Sequence, residues 1–289
     1  RQLVETQPTE ADLQAGLQRM ADFEADMQDS DYLRRLADSD LSNQLRDRSI
    51  TFIWGDGRVY ADPPEKLRQD TGDKAYQMWA QVRPYMAGTQ KELIILSPYF
   101  VPGKSGVEFV QQLTDRGVRV RILTNSLAST DVSIVHAGYS RYRKGLLRAG
   151  AELYELNQIT GKDDRRAWSR GKIERARSSL HAKAFRVDRE ILFIGSLNLD
   201  ARSVVQNTEI GVVMESPELA TGLAQNFDDQ IEDVAFRVTL ENDEDGYGSL
   251  RWHGKMDGES VTFNKDPHTT FWHRFGVGFM RLMPIESQI

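Results

Sequence analysis

The sequence predicts an α/β fold in which a β-sheet is flanked by helices on both faces, that is, an α/β/α sandwich. The first observation is that short apolar runs alternate with helical patterns between residues 73 and 156. This β-α-β-α-β order is typical of a sheet with helices packed over it. The second observation is a pair of strand patterns, one alternating from Leu180 to Val187 and one continuously apolar from Ile191 to Ile194.

The composition is that of an ordinary globular protein. The 289 residues, with 39% hydrophobic and 28% charged side chains, can bury a sizeable core in one large domain or two smaller ones. The net charge of −6 argues against a wholly basic nucleic-acid coat, and the lack of cysteine excludes disulfides and thiolate metal sites. No apolar run of roughly 18 residues predicts a membrane span. The chain opens with Arg1-Gln2 and no signal-peptide pattern, so we expect it to begin inside a longer protein.

The first part of the chain is expected to lie outside the main sheet. Residues 1–48 carry apolar side chains at roughly helical spacing, which predicts polar helices. Residues 50–54 alternate as a strand does, and Gly55-Asp56-Gly57 is expected to turn the chain. The segments Asp62-Pro63-Pro64 and Asp70-Thr71-Gly72 predict an exposed connection.

Helices and strands then alternate. The predicted helices span residues 73–86, 106–116 and 131–149, the last of them ending at Gly150. The predicted strands span residues 92–97, 118–124 and 151–156.

The loop that follows residue 97 is a candidate pocket wall. A strand that ends in an aromatic loop rich in proline and glycine is a common place for a site in an open α/β sheet. Tyr99 and Phe100 in this loop therefore become candidates to line a pocket, and His136, early in the third helix, is a further candidate. The alternatives are an ordinary connecting loop and a packed or surface histidine.

The C-terminal part adds another helix, short strands and an aromatic segment. Ser216 followed by Pro217 predicts the capped start of a helix that runs to about residue 234. Short strands in a closing meander are predicted over residues 236–240, 249–253 and 260–263. Residues 269–285 carry aromatic side chains flanked by arginines, which favours either a helix in a membrane interface or a helix packed on the core.

The motif H-x-K-x4-D is the strongest chemical signal, and it is formed by His181, Lys183 and Asp188. Residues two apart in a strand share a face, so His181 and Lys183 are expected side by side. The next strand runs into the segment G-S-L-N, in which Ser196 and Asn198 are again two apart. A single histidine in a strand is more often a packing residue, but chance explains the full spacing poorly. The two strand ends would form a compact cluster suited to a phosphate ester.

Each residue type has a chemical reason to be there. A neutral imidazole can attack phosphorus, which splits one difficult displacement into two easier ones. The ammonium of Lys183 can neutralise charge on the non-bridging oxygens, while the serine and asparagine donate to them without adding charge. Glu209 is a candidate to orient the imidazole and support its charged form. Asp188 stands where a strand turns, so we expect it to fix that turn.

A basic segment, residues 161–178, leads directly into His181. Charge runs of this kind are usually solvated, but this position favours attraction of an anionic substrate. Anionic lipids and a nucleic-acid backbone would both be attracted, so the segment does not choose between them.

The motif residues resemble the phospholipase D superfamily, whose HKD motif is H-x-K-x4-D followed by G-S-x-N. The resemblance implies a mixed β-sheet between helices and a reaction through a phosphohistidine that needs no metal or other cofactor. The site residues it implies are His181, Lys183, Asp188 and Glu209 as catalytic residues, with Ser196 and Asn198 binding the substrate phosphate.

The resemblance also implies that half of a site is absent. The superfamily uses two HKD motifs that face each other, one histidine attacking while the other protonates the leaving group. Among the five histidines here, only His181 begins an H-x-K. The flanking segments resemble bacterial cardiolipin synthases of the C type. On that basis residues 1–88 are interpreted as the tail of a first repeat and a linker, 89–241 as the second HKD domain, and 242–289 as C-terminal strands and an amphipathic helix.

The function implied by this resemblance is phosphatidyl transfer that makes cardiolipin from phosphatidylglycerol and a second phospholipid, at the periphery of the bacterial inner membrane. The partners implied are an anionic phospholipid surface and either an upstream HKD half or a second copy of the chain. Hydrolysis of lipid or nucleic acid by the same chemistry and a non-catalytic lipid-binding fragment remain alternatives.

Overall fold

The computed structural model describes residues 9–28, 37–67, 77–157, 179–241, 248–256 and 258–281. The chain divides into two compact units, residues 1–53 and 54–289. In the first unit the described residues form α1 (Glu10–Gln28) and α2 (Asp40–Arg46), which confirms helices there. The hydroxyl of Ser39 accepts the N–H of Ser42 and so caps α2.

The described residues of the second unit form a ten-stranded mixed sheet in the order β1-β7-β6-β5-β2-β3-β4-β8-β9-β10. Its strands are β1 (Asp56–Ala61), β2 (Glu92–Leu96), β3 (Arg119–Asn125), β4 (Glu152–Leu156), β5 (Ala184–Val187), β6 (Ile191–Gly195), β7 (Ile210–Glu215), β8 (Ala235–Glu241), β9 (Ser249–Met256) and β10 (Glu259–Phe263). Strands β2, β3 and β4 are parallel, and the other neighbours are antiparallel.

Helices cover both faces of this sheet. They are α3 (Met78–Ala87), α4 (Gly103–Asp115), α5 (Ser133–Ser140), α6 (Arg143–Arg148), α7 (Ala201–Val205), α8 (Pro217–Val234) and α9 (Phe271–Met280). Leu93 and Ile95 of β2 belong to the main core together with residues of α3, α4 and α6. Ile94, which points to the opposite face, packs instead with residues of α8. The predicted α/β/α sandwich is therefore confirmed.

Two predicted features at the start of this unit are wrong. Residues 50–54 do not form a strand, and residues 55–57 do not form a turn. The strand is instead β1, which begins at Asp56 and pairs antiparallel with β7 along its whole length. The local alternation of residues 50–54 could not reveal this, because the partner strand supplies the hydrogen bonds and lies far along the chain.

The prediction of one long helix over residues 131–149 is also wrong. This stretch forms two helices, α5 and α6, which are separated at Arg141 and Tyr142. The N–H of Tyr142 donates to the carbonyl of Tyr139 at 2.8 Å, a tighter turn than that of an α-helix. Arg143, just after the break, forms a buried ion pair with Glu155 of β4 at 2.7 Å. The predicted closing meander forms β8, β9 and β10, which extend the main sheet beyond β4.

Several predicted features fall partly or wholly outside the described residues. They are the helices predicted within residues 1–48, the connection at residues 70–72, the start of the helix predicted over 73–86, the basic segment at 161–178 and the chain end beyond residue 281. None of the helices in the described part is both long enough and apolar enough to cross a bilayer.

Candidate active site

The topology brings the motif residues to one edge of the sheet. Strand β5 runs antiparallel to β2 and to β6, and β6 runs antiparallel to β7. These directions bring three segments together at the end of the sheet where β2 finishes. They are the segment before β5, the segment after β6 and the segment before β7. These segments hold His181 and Lys183, then Ser196, then Glu209. The prediction that residues 180–183 lie within the strand is wrong, since β5 begins at Ala184.

His181 and Lys183 lie side by side at this edge. The Nζ of Lys183 is 3.3 Å from the Nε2 of His181 and donates to the His181 carbonyl at 3.1 Å. A charged ammonium has donors only, so in this contact Nε2 accepts and the ring proton lies on Nδ1. Burial lowers the pKa of Lys183, and the negative charges of Glu209, Asp131 and Asp200 act against that shift. The arrangement presents an unprotonated ring nitrogen beside a cation.

Asn125, at the end of β3, fixes the backbone next to His181. Its Oδ1 accepts the N–H of Leu180 at 2.9 Å, and its Nδ2 donates to the Leu180 carbonyl at 3.1 Å. Ser129 donates its hydroxyl to the same Oδ1 at 3.1 Å. No role for Asn125 was predicted from the sequence. The only sequence signal was an amide residue directly after a buried strand.

Ser196 and Glu209 form the second part of the site. The Ser196 hydroxyl donates to Oε2 of Glu209, and Asn207 donates to the other carboxylate oxygen at 3.3 Å. The N–H of Ile210 in turn donates to the Ser196 hydroxyl oxygen at 3.0 Å. No hydrogen bond joins Glu209 to His181, although both residues are described. The carboxylate of Glu209 instead holds the serine, and its proposed action on His181 stays a prediction.

Asn198 offers a polar atom to this site. The side chain is buried, and its Oδ1 has no hydrogen-bond partner among the described residues. Its two neighbours anchor it, since Leu197 is in the main core and Leu199 bridges to Phe100. A buried acceptor without a donor is costly, so Oδ1 of Asn198 is placed to accept a hydrogen bond from a ligand group.

A buried ion pair supports Glu209 from the sheet side. The Nζ of Lys66 is 2.7 Å from Oδ2 of Asp62, and both side chains are almost fully buried. The same Oδ2 accepts the N–H of Glu209 at 3.0 Å, and the Asp62 N–H donates to the Glu209 carbonyl at 2.8 Å. Asp62 Oδ1 accepts the N–H of Met78 at the start of α3, and Lys66 donates to the carbonyl of Ser203 in α7. The prediction of an exposed connection here is wrong for Asp62 and Lys66, which are buried.

Asp188 acts on the backbone at the far end of the motif strand. Its carboxylate accepts the N–H groups of Gln90, Lys91 and Glu92 at 2.9, 2.7 and 2.9 Å. Its own N–H donates to the Glu92 carbonyl at 2.8 Å, and its φ of 52° fits a tight turn. Asp188 therefore ties the start of β2 to the end of β5, at the opposite end of these strands from His181.

The three predicted pocket residues lie in different surroundings. The Tyr99 hydroxyl donates to Asp131 at 2.7 Å, and burial, then that contact, raises the pKa of Tyr99 to about 12. Phe100 is buried and lines an apolar cleft of about 380 Å³ between α3, α4 and α7. His136 does not line that cleft. It is buried, with its Nε2 2.7 Å from the Arg143 guanidinium and 3.6 Å from Asp266.

The described residues contain no group of three His, Asp or Glu side chains arranged to hold a metal ion. Residues 82–231 match the model of a protein family described as "Cardiolipin synthase, PLD-like domain". The chain is 38% identical over 256 residues to cardiolipin synthase C of Escherichia coli (strain K12), with 88% of this chain and 53% of that protein covered.

Two further comparisons cover smaller shares of the chain. It is 27% identical over 185 residues to cardiolipin synthase A of Yersinia pestis bv. Antiqua (strain Angola), covering 64% of this chain and 29% of that protein. The solved structure of a phospholipase D family member, Nuc from Salmonella typhimurium, aligns with a TM-score of 0.45 and 16% identity, covering 64% of this chain and 99% of that one. The chain thus spans about half, or less, of the curated relatives it matches.

Proposed function

The chain belongs to the family of phospholipase D-like domains found in cardiolipin synthases, and from this premise we propose that it is one catalytic half of a phosphatidyltransferase. The proposed reaction makes cardiolipin from phosphatidylglycerol and a second phospholipid. In the proposed domain arrangement, residues 89–241 are the second HKD domain and the residues before them connect it to a first. The observation that carries the proposal is the 3.3 Å distance between Nζ of Lys183 and Nε2 of His181, beside Ser196 and Glu209.

The proposed chemistry has two displacement steps. In the first, Nε2 of His181 attacks phosphorus, the bond to the leaving alcohol breaks, and an acid outside this chain's motif protonates that alcohol. In the second, a hydroxyl of the acceptor phospholipid attacks the phosphohistidine, gives up its proton to the same external group, and frees the imidazole. With the roles exchanged, His181 supplies the proton instead; its protonated Nε2 then no longer accepts from Lys183, and Asn125 still holds the backbone next to it.

The other residues bind and orient in this proposal. Lys183 shifts from the imidazole to the phosphate oxygens, where negative charge increases in the transition state. Asn198 donates to the same oxygens through Nδ2, and the single hydroxyl proton of Ser196 turns from Glu209 to a phosphate oxygen when the substrate binds. The Glu209 carboxylate holds the Ser196 hydroxyl, and its position above the Asp62–Lys66 pair supports a rigid site.

The second histidine must come from another polypeptide segment. An upstream HKD half is one proposed source, and the 53% coverage of cardiolipin synthase C supports it. A second copy of this chain is the other source. We further propose a peripheral position at the bacterial inner membrane, since both substrates are membrane lipids.

The test is cardiolipin formation from labelled phosphatidylglycerol by the chain, with His181→Ala beside it. The matched control is His253→Ala, because His253 lies on β9 and bonds to Thr239 and Thr262, away from the site. Product from the chain and His253→Ala, but not from His181→Ala, would support transfer with a site completed by self-association. If the chain alone is inactive, the original sequence, His181→Ala and His253→Ala are compared in a polypeptide that also contains an upstream HKD half. Release of phosphatidic acid without cardiolipin there would reject transfer in favour of hydrolysis.

A further inference from the structure

Helix α9 presents an unusually large aromatic surface to solvent. Its exposed fractions are 63% for Phe271, 75% for Trp272, 58% for Phe275 and 58% for Phe279. At 100° per residue these four side chains fall within about 100° of arc, so they form one face. We call these four residues the aromatic face. A contiguous exposed apolar surface of this kind marks an interaction site.

The opposite side of α9 already has its partner. Val277 is buried in a small cluster with Ala137 of α5 and with Leu127, which lies in the loop after β3. Met280 packs against that cluster. The hydroxyl of Thr270 accepts the N–H of His273 and caps the helix, so its start is well defined. Packing on the rest of the domain therefore accounts for one side of α9 and leaves the aromatic face directed away from it.

Cationic groups border the aromatic face. The Arg274 guanidinium donates to the carbonyl and the hydroxyl of Thr269, at 2.6 and 2.9 Å, and both of these groups are neutral. At the end of α9, Arg141 donates to the Arg281 carbonyl. Burial, followed by repulsion from Arg143 and Arg141, lowers the pKa of Arg281, and the negative charge of Asp266 acts against that shift. Phosphate groups next to an aromatic layer would complement this charge pattern.

The elements behind α9 belong to the candidate active site. Leu127, which contacts Val277, follows two residues after Asn125, and Asn125 holds the backbone beside His181. The same loop supplies Asp131, which binds Tyr99 and whose charge acts on Lys183. A surface that docks on the aromatic face would thus lie next to the loop that shapes the site.

We infer that the aromatic face of α9 is the surface by which this domain sits on a bilayer containing anionic phospholipids. Tryptophan and phenylalanine with arginines beside them are the combination that favours the membrane interface, where the rings enter the acyl boundary and the cations meet phosphates. The bilayer is the occupant that the charges favour, because α9 itself carries arginine and no acidic residue. Protein interfaces are also rich in aromatic residues and arginine, so a protein partner is the alternative that the experiment must separate. The inference deepens the proposed function and rests on it only for the identity of the lipids.

The experiment measures binding of the full chain to vesicles of phosphatidylglycerol and phosphatidylcholine in equal amounts, and to vesicles of phosphatidylcholine alone. The test variant is Trp272→Ser with Phe275→Ser, and the matched control is Trp54→Ser, since Trp54 is 88% exposed outside α9. We expect the double variant to bind the anionic vesicles at least about tenfold more weakly, and the control to bind like the original chain. Unchanged thermal melting of both variants would show that the fold is intact.

A fluorescence measurement gives an independent result. Brominated phosphatidylcholine in the anionic vesicles should quench the emission of the original chain, and Trp272→Phe should bind as well but lose most of that quenching. Equal vesicle binding by the double variant, or equal quenching with Trp272→Phe, would overturn the inference. So would a double variant that changes only the oligomeric state, because that would identify a protein interface.

Turnover separates this inference from the proposed function. The double variant should lose cardiolipin synthesis on vesicles but keep it with short-chain phosphatidylglycerol in solution, in whichever form of the protein is active. Absence of turnover in every form, with vesicle binding as expected, would reject the proposed function and leave the docking surface standing. Wild-type turnover on vesicles by the double variant would reject the docking surface.

Discussion

Lys183 lies 3.3 Å from His181, and its surroundings determine the pH range over which it carries its charge. Burial disfavours the ammonium, and this lowers its pKa below that of an ordinary lysine, while Glu209 and two aspartates limit the shift. At the scale of single residues, the protonation of a charged group in the site is set by its burial and by the charges around it.

Activity should therefore decline on the alkaline side below the pH at which a free lysine, with a pKa of about 10.4, loses its proton. The sign follows from the lowered pKa, since the cation that binds phosphate is lost earlier as pH rises. In Lys183→Arg the guanidinium stays charged over this range, so the alkaline decline should move to higher pH even if the rate falls. A pH profile of kcat/KM measures this, and coincident alkaline limbs in the two proteins would show that another group is responsible.

The Asp62–Lys66 pair provides a second residue-scale prediction. Asp62→Asn leaves the buried Lys66 ammonium without its carboxylate, which should cost about 3–5 kcal/mol of unfolding free energy. Asp62→Asn combined with Lys66→Met removes both charges and should recover much of that stability. The carboxylate that accepts the Glu209 N–H is still missing in the double variant, so kcat should remain about tenfold or more below the original with KM little changed.

Denaturant unfolding and steady-state kinetics on the same three proteins check this. Full recovery of kcat together with stability in the double variant would reduce the pair to a packing role.

How much of the site the sequence predicts depends on the distance between contacting residues. His181, Lys183, Ser196 and Asn198 fall within one short stretch, so their spacing could be read directly. Asn125 and Asp62 could not be found in this way, because they reach the site across 55 and 147 residues. Only the folded sheet brings such residues together.

At the scale of elements, β6 and β7 leave no room for a side chain where Gly195 pairs with Gly211. A Cβ on Gly195 would lie 2.5 Å from the Ile210 carbonyl oxygen, and one on Gly211 would lie 2.4 Å from the Phe193 ring. The ring of Phe193 is stacked on Phe185 at 4.7 Å and fills the space above both glycines. The glycine of the G-S-x-N segment is thus a packing requirement that sets the position of the serine after it.

Gly195→Ala is therefore expected to lower the unfolding free energy by about 1–3 kcal/mol, because backbone atoms must move apart. It should also reduce activity by displacing Ser196. The matched control is Gly222→Ala in α8, where a Cβ meets open space and should stabilise by about 0.5–1 kcal/mol. Thermal or denaturant unfolding of the two variants should give opposite signs, and a neutral Gly195→Ala would contradict the close-approach argument.

The element predictions succeeded where the pattern is local. Ser216 accepts the N–H of Leu219 and Pro217 opens α8, as the N-cap pattern indicated. The break between α5 and α6 was missed, since helical periodicity continues across it and the cause is the buried partner of Arg143 on another strand. The start of β5 was placed too early for a related reason. Alternation continues into residues 180–183, whereas regular strand pairing begins only at Ala184.

For the whole molecule, stability should depend on pH through His268, which lies between the end of the sheet and α9. Its ring packs against Phe236 and Phe263, with centroids 5.7 and 5.8 Å away, and burial lowers its pKa. The folded state therefore prefers the neutral ring. Stability is fully present above about pH 6.5, the pKa of an unfolded histidine, and is lost as pH falls toward the lower folded value.

We expect the melting temperature to decline from about pH 7 to about pH 5, with a smaller decline in His268→Asn. Asparagine tolerates the φ of 56° at this position and does not titrate, so it removes the protonation without forcing the backbone. The difference between the two plots of melting temperature against pH gives the contribution of the His268 ring, apart from that of the carboxylates. Parallel declines would assign the effect to other groups.

The fold class followed from local patterns, whereas the strand order did not. The alternation of elements from residue 73 to 156 indicated a sheet with helices over its faces, but not which strands are neighbours. Strands β8, β9 and β10 were expected as a closing meander with no position in the sheet, and β1 was missed. A strand joins a sheet at an edge strand that is still unpaired, and local alternation does not show which edge strand that is.

The position of β1 has a consequence for how the domain is made. Asp56 pairs with Glu215, so 215 − 56 = 159 residues separate two partners in one ladder. Closing so long a loop is slow compared with forming the parallel strands in between, and we expect β1 to be added late in folding. Until then β7 is an open edge able to pair with another chain, and a polypeptide that begins after Ala61 would keep that edge permanently. With β1 in place, the outer strand of the sheet is one that carries Asp56 and Arg58, and charged side chains on an edge strand disfavour pairing with another chain.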